Sequence, residues 1–220
     1  MVQYDKIAQE YSEMLNPTKE LVLIPTFLKL IENVKGGVID LGCGDGFFTR
    51  LIKADKVVGV DVSKELIKLA KEKSNIEFIC EDVLKLKLNE KFDFVTSVYL
   101  LNYAKTKEEL VKFCKVAYDL MDKGKFIGIT LNPGIKVMKD FEYGRKFTNV
   151  DEGEFKDGDG VRCEMKDFEF ISYYYSKKTY EECFKEVGFK VKWIEVVVPE
   201  GEYWDKFREN PSAIGFVCEK

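Results

Sequence analysis

The segment Val38-Ile39-Asp40-Leu41-Gly42-Cys43-Gly44-Asp45-Gly46-Phe47-Phe48-Thr49 constrains this chain more than any other. A short apolar run ends in a carboxylate, and three glycines then alternate before apolar periodicity resumes. That order predicts a buried strand, a tight loop whose backbone lets a ligand come close, and the start of a helix. Fifteen residues after Gly46 a second buried run, Val57-Val58-Gly59-Val60, ends in Asp61. An acid at the tip of the neighbouring strand is placed to bind ribose hydroxyls. Together the two features predict an adenosine-containing ligand.

Charge separates the candidate ligands. A dinucleotide loop would put its third glycine at position 47, where Phe47 stands, and the third glycine is instead Gly46. A dinucleotide also rests its pyrophosphate on the amides of a helix N-terminus. Asp40 and Asp45 bracket those amides, and like charges at such range repel. A ligand with an ammonium and a sulfonium but no phosphate suits the loop better, and S-adenosylmethionine is such a ligand. An NAD-linked dehydrogenase is the rival enzyme. A module that binds the cofactor without turnover is the non-enzymatic alternative.

The motifs D-L-G-C-G-D-G (40–46), G-V-D-V-S (59–63) and C-E-D-V (80–83) resemble those of class I S-adenosylmethionine-dependent methyltransferases. The resemblance implies a doubly wound, Rossmann-like α/β fold with seven strands in the order 3-2-1-4-5-7-6, the last antiparallel. It also implies residue roles. Gly42 and Gly44 would lie against the methionine part, and Asp61 would hold both ribose hydroxyls. Val62 would pack on adenine, Asp82 would accept from its exocyclic amine, and the Val83 backbone would read the ring. Asp40 would neutralise the ligand's positive charge, directly or through water, and Val98 joins the same site.

Further motifs, Y-L-L-N-Y-A (99–104), L-N-P (131–133), E-Y-G (142–144) and V-P-E-G-E-Y-W-D-K-F (198–207), resemble the toxoflavin-biosynthesis N-methyltransferase and its small-molecule relatives. The N-terminal Tyr4-Asp5-x-x-Ala8-x-x-Tyr11 fits the same group. This likeness implies that Tyr11 covers the methionine end and that Asn102, Tyr103, Tyr143 and Trp204 line an acceptor pocket. Tyr99 belongs with them, at the point where the fold presents the reactive methyl. The blander reading makes Tyr99, Leu100 and Tyr103 core residues, and Trp204 reads equally as packing. The Asn/Asp-Pro-Pro-aromatic tetrad of nucleic-acid amino-methyltransferases does not follow the fourth strand.

The remaining elements follow from periodicity. Strands are predicted near 37–41, 57–61, 76–80, 92–98, 124–131, 189–198 and 213–219. Helices are predicted near 4–15, from Thr18 to about Asn33 with a kink at Pro25, and near 47–54, 63–73, 106–121 and 177–187. Ser63 and Thr106 read as N-caps, the latter with Glu109 as a capping box. One domain of 220 residues divides into a helical lid (1–34), a cofactor core (37–131), an inserted β flap (132–175) and a closing part (176–220).

Composition excludes other classes. A net charge of −4, with arginine only at 50, 145, 162 and 208, argues against a nucleic-acid partner. No apolar run approaches membrane-spanning length and the opening residues lack signal-peptide character, which predicts a cytoplasmic protein with no membrane partner. Six scattered cysteines without a C-x-x-C pair predict reduced thiols, and the acidic run 151–159 lacks calcium-loop spacing, so no metal is expected. The chain has no histidine, which removes every imidazole base. What remains is transfer to a nitrogen or oxygen of a small planar acceptor, driven by in-line positioning, with S-adenosylhomocysteine as product.

Overall fold

The computed structural model describes residues 3–220. A 3₁₀ turn, Gln3–Lys6, leads into α1, Ala8–Glu13, so the single helix expected over 4–15 is broken at Ile7. The second helix changes type just before Pro25 and ends at Leu30. A π-helical turn, Lys19–Leu23, passes into α2, Ile24–Leu30, with Pro25 in the first turn. Proline has no N–H to donate and its ring crowds the preceding carbonyls, so the widened turn absorbs the clash.

Five parallel strands follow: β1 Gly37–Leu41, β2 Lys56–Asp61, β3 Glu77–Cys80, β4 Phe94–Val98 and β5 Lys125–Leu131. Helix α3, Lys64–Lys73, connects β2 to β3, and α4, Lys107–Asp119, connects β4 to β5. The Ser63 hydroxyl caps α3 by accepting from Leu66 N–H, and Thr106 caps α4 by accepting from Glu109 N–H. The capping box is shifted, because the Glu109 carboxylate accepts from Lys105 N–H at 2.6 Å instead of from Thr106.

The helix expected over 47–54 is a single 3₁₀ turn, Thr49–Leu51. Gly46 and Lys56, where β2 begins, leave room for little more, and Ile52 must turn down into the core.

After β5 the chain builds a separate three-stranded antiparallel sheet: β6 Arg145–Asn149, β7 Gly160–Met165 and β8 Glu169–Tyr173. The flap is thus one strand larger than a hairpin. Its acidic loop has structural work: Asp159 accepts from Asn149 and from Lys156 N–H, while Asp157 accepts from the Ser176 hydroxyl that caps the next helix.

Helix α5, Lys177–Glu186, then leads to β9, Lys190–Ile194, and α6, Asp205–Glu209, precedes β10, Ala213–Glu219. The main sheet runs β3-β2-β1-β4-β5-β10-β9. This is the 3-2-1-4-5-7-6 order with β10 antiparallel to both neighbours, so β9 runs with the first five strands. A large core of α4, α5 and sheet residues covers one face, and a smaller one under α2 covers the other. The parallel strands end on one side, where the loops after β1, β2 and β4 meet.

Candidate functional site

A cleft of about 620 Å³ opens at those strand ends, closed over by the N-terminal lid and by the flap. Its wall includes Tyr11, Asp40, Gly42, Gly44, Asp61, Val62, Asp82, Val83 and Val98, all nine residues expected around the cofactor. Tyr99, Asn102 and Tyr103 line it too.

Tyr143 and Trp204 do not. They stack on each other with centroids 5.1 Å apart, and with Phe207 and Val22 they form a cluster between the flap entry and the C-terminal segment. The Tyr143 hydroxyl donates to the Tyr203 carbonyl and accepts from Phe207 N–H, which consumes its polar capacity. Both residues are corrected to packing. The E-Y-G and Y-W-D-K-F motifs lie far apart in sequence and meet each other, not the ligand.

The acids of the cleft are held by local backbone and hydroxyls. Asp61 accepts from Gly44 N–H at 2.9 Å and from Ser63 N–H at 2.8 Å, which orients its carboxylate toward the glycine loop. Burial raises its pKa, with those N–H bonds working in the opposite direction. Asp40, on the central strand, is buried and accepts from Thr49 at 2.6 Å and Thr96 at 2.8 Å. Burial pushes its carboxyl up to about 6, against the pull of the two threonines. Asp82 accepts from Leu84 N–H, so its side chain caps the turn that carries Val83.

Asp45 changes the electrostatic picture read from sequence. Its carboxylate accepts from Lys73 Nζ at 2.8 Å and from Ser12 at 2.8 Å, with Arg50 at 3.9 Å. Burial works against ionisation there, but Lys73 and Ser12 bring the carboxyl below its ordinary range. The charge of Asp45 is therefore answered within the protein. Asp82 has Lys85 at 3.9 Å, so the acids of the cleft without a cationic partner are Asp40 and Asp61.

Two glycines need their freedom. Gly44 has φ +56, and a side chain there would point across the loop at the Tyr11 ring, 3.8 Å away. Gly46 has φ +72, and a Cβ would strike Phe78 at 2.7 Å. The first keeps the cleft floor open and the second lets the loop pack on β3.

The lid and flap are joined over the cleft. Gln3 donates to the Ile171 carbonyl at 3.0 Å and accepts from Ile171 N–H at 3.1 Å, so it continues the edge of β8. Tyr4 meets Tyr11, Tyr103 and Phe170 at 4.9, 5.8 and 5.6 Å between ring centroids, and its hydroxyl touches that of Tyr103. Asp5 accepts from Ser63 at 2.6 Å, which fixes the lid to the end of β2.

Sequence reasoning missed several cleft residues. Lys19 is buried beside the Phe47 ring at 4.2 Å, and burial lowers its pKa. Arg145, the first residue of β6, is 4% exposed and also lines the cleft. The scarcity of arginine was the available signal. Arg50, Arg162 and Arg208 each pair with a carboxylate, whereas among the described residues Arg145 has none within 4 Å. Burial raises the pKa of Tyr4, Tyr11, Tyr99 and Tyr103, so none of these four ionises near neutral pH.

Among the described residues no three His, Cys, Asp or Glu side chains gather as a metal site would require, and all six cysteines are free. Among the described residues no helix is long and apolar enough to cross a membrane.

Comparison with known proteins agrees with this geometry. Residues 38–124 match the family described as "Methyltransferase domain". The malonyl-[acyl-carrier protein] O-methyltransferase of Acetivibrio thermocellus is 23% identical over 84% of this chain and 73% of its own length. A crystal structure of an S-adenosylmethionine-dependent methyltransferase from Clostridium acetobutylicum superposes with a TM-score of 0.65 at 19% identity, covering 98% of this chain and 95% of that one. A structure titled "DhpI-SAM-HEP complex" reaches 0.69 at 20% identity, covering 99% and 94%. The matched segment and the sheet order give the chain the fold of the class I S-adenosylmethionine-dependent methyltransferases.

Proposed function

We propose that the chain transfers a methyl group from S-adenosylmethionine to an oxygen or nitrogen of a small, planar metabolite held between the 98–104 loop and the flap. The observation that carries this reading is the single cleft that joins the glycine loop to Tyr99, Asn102 and Tyr103 beneath a closed lid. A volume of about 620 Å³ lies within the range of small-molecule sites, and much of it goes to the cofactor.

The residues present fit the cofactor. Asp61, already oriented by two N–H donors, keeps lone pairs free for two ribose hydroxyls. Val62, which is unusually exposed for a valine, offers a face to adenine, with Asp82 and the Val83 backbone at its polar edge. Lys19 supplies a cation for the amino-acid carboxylate, and Asp40 supplies negative potential opposite the sulfonium. Bound there, S-adenosylmethionine supplies an electrophilic methyl on a good leaving group. The protein's contribution is then to align the acceptor, exclude water and fix charge, and such positioning is worth roughly 7–11 kcal/mol. With no histidine and no readily ionised tyrosine, no side chain is assigned as base.

A metabolite extract incubated with enzyme and methyl-labelled S-adenosylmethionine tests the reading. The expected result is a labelled product of low molecular mass. Label found only in carrier protein or in tRNA would overturn the small-molecule acceptor. Binding without any transfer would favour the non-catalytic module.

A further inference from the structure

We propose that the acceptor carries an oxyanion and that Arg145 seats it with Tyr99 and Asn102. The inference rests on the methyl-transfer reading above and narrows its substrate class.

Three polar atoms of cleft-lining residues, Arg145 Nη2, the Tyr99 hydroxyl and Asn102 Oδ1, are buried with no hydrogen bond to a third group, and the first two interact with each other. Arg145 and Tyr99 lie close enough for each to alter the other's proton affinity. Burial lowers the Arg145 pKa and Tyr99 partly restores it. A buried guanidinium without a counter-charge is expensive, and native proteins keep one where something binds it. The remaining titratable neighbour is Cys163, whose thiol burial pushes up to about 12, so it brings no negative charge. Among the described residues no carboxylate of the cofactor half comes within 4 Å of Arg145.

The competing explanation is that Arg145 is held for packing. Its guanidinium does lie over Phe147 and Phe207, at 5.4 and 5.3 Å. Ring faces hold the plane in place but accept none of its five N–H donors. They leave N–H donors unanswered on a residue that lines the cleft, and a guanidinium fork suits a two-oxygen anion. The Tyr99 hydroxyl adds a donor, and the Asn102 amide adds another once turned over, since its O and N are interchangeable in assignment. Tyr99 also holds φ +62, a conformation costly for a side chain and found where geometry serves a site.

The test loads the enzyme with S-adenosylhomocysteine and titrates three probes by ligand-observed NMR: propionate, methylphosphonate and the neutral propionamide. At least one anion is expected to bind tenfold or more tightly than propionamide, and which one wins separates carboxylate from phosphonate acceptors. Arg145→Met should abolish the preference and Arg145→Lys should keep part of it. S-adenosylhomocysteine affinity should stay within twofold in both. Removing an uncompensated buried charge should leave the melting temperature of Arg145→Met equal or higher, whereas a packing role would lower it. Should that variant fail to fold, the proposal is overturned on that count unless Tyr99→Phe, which keeps the ring, weakens the preferred anion at least threefold. Equal binding of anions and propionamide, or a preference that survives Arg145→Met, also overturns it. Calorimetry with S-adenosylhomocysteine, beside the same anion titration without it, separates the two readings: no binding of the nucleoside with the anion preference intact would sink the methyl-transfer reading alone.

Discussion

The two halves of the cleft are finished to different degrees. On the cofactor side each acid already has partners: Asp61 has Gly44 and Ser63, Asp40 has two threonines, and Asp45 has Lys73. On the acceptor side the Tyr99 hydroxyl, Asn102 Oδ1 and Arg145 Nη2 are buried with no carboxylate or third group to answer them. The first half is rigid and generic, shaped for a ligand common to many enzymes. The second spends stability on groups that only a particular acceptor satisfies.

The difference can be sharpened by substitution. The largest effect is expected outside both halves. Trp204→Ala should cost about 3–5 kcal/mol of stability, as deletion of a buried aromatic does. It should leave cofactor affinity and acceptor KM unchanged in the folded fraction, as measured by denaturant unfolding alongside calorimetry. A rise in acceptor KM would return Trp204 to the site. Next, Asp61→Ala should weaken S-adenosylmethionine at least tenfold, about 1.4 kcal/mol, because it removes the ribose acceptor and frees Gly44 N–H. Unchanged affinity in calorimetry would refute the ribose assignment.

The pH dependence of Asp40 comes next in size. Its folded pKa, about 6, lies above its unfolded value, so the protonated group contributes stability below about pH 4 that is lost as pH rises through 6. A cationic ligand prefers the ionised carboxylate. Affinity for S-adenosylmethionine should therefore fall as pH drops below about 6, by up to about tenfold per unit, and more steeply than for S-adenosylhomocysteine. Asp40→Asn should flatten that difference. Parallel pH profiles for the two ligands would mean that Asp40 does not feel the sulfonium.

The smallest effect belongs to the latch. Gln3→Ala removes two exposed hydrogen bonds between lid and flap, each worth about 1 kcal/mol or less. Release of S-adenosylhomocysteine should quicken severalfold in stopped flow with little change in melting temperature. An unaltered release rate would mean that the lid does not gate the cofactor.

The same division explains what was legible in the sequence. The sheet order and the strand tips were readable, and the nine residues expected at the cofactor line one cleft, because each depends on contacts a few residues away or on alternation along one strand. The turn at 49–51 was misjudged as a helix because apolar spacing does not reveal how soon Ile52 must enter the core. Tyr143 and Trp204 were misplaced because aromatic motifs look alike whether they meet a ligand or each other. Arg145 was passed over because its importance is a missing partner. That property exists only after β6 has been folded back over Tyr99, 46 positions earlier in the chain.

The central claim is that the acidic glycine cleft takes S-adenosylmethionine or its product and leaves the anion-seeking end for the acceptor. A crystal grown with equal concentrations of S-adenosylhomocysteine and NAD tests it most directly. The account predicts density for the nucleoside between Gly44 and Asp61, with Arg145 left free for an added oxyanion. A diphosphate lying against Gly44, with the sulfur nucleoside nowhere bound, would contradict it.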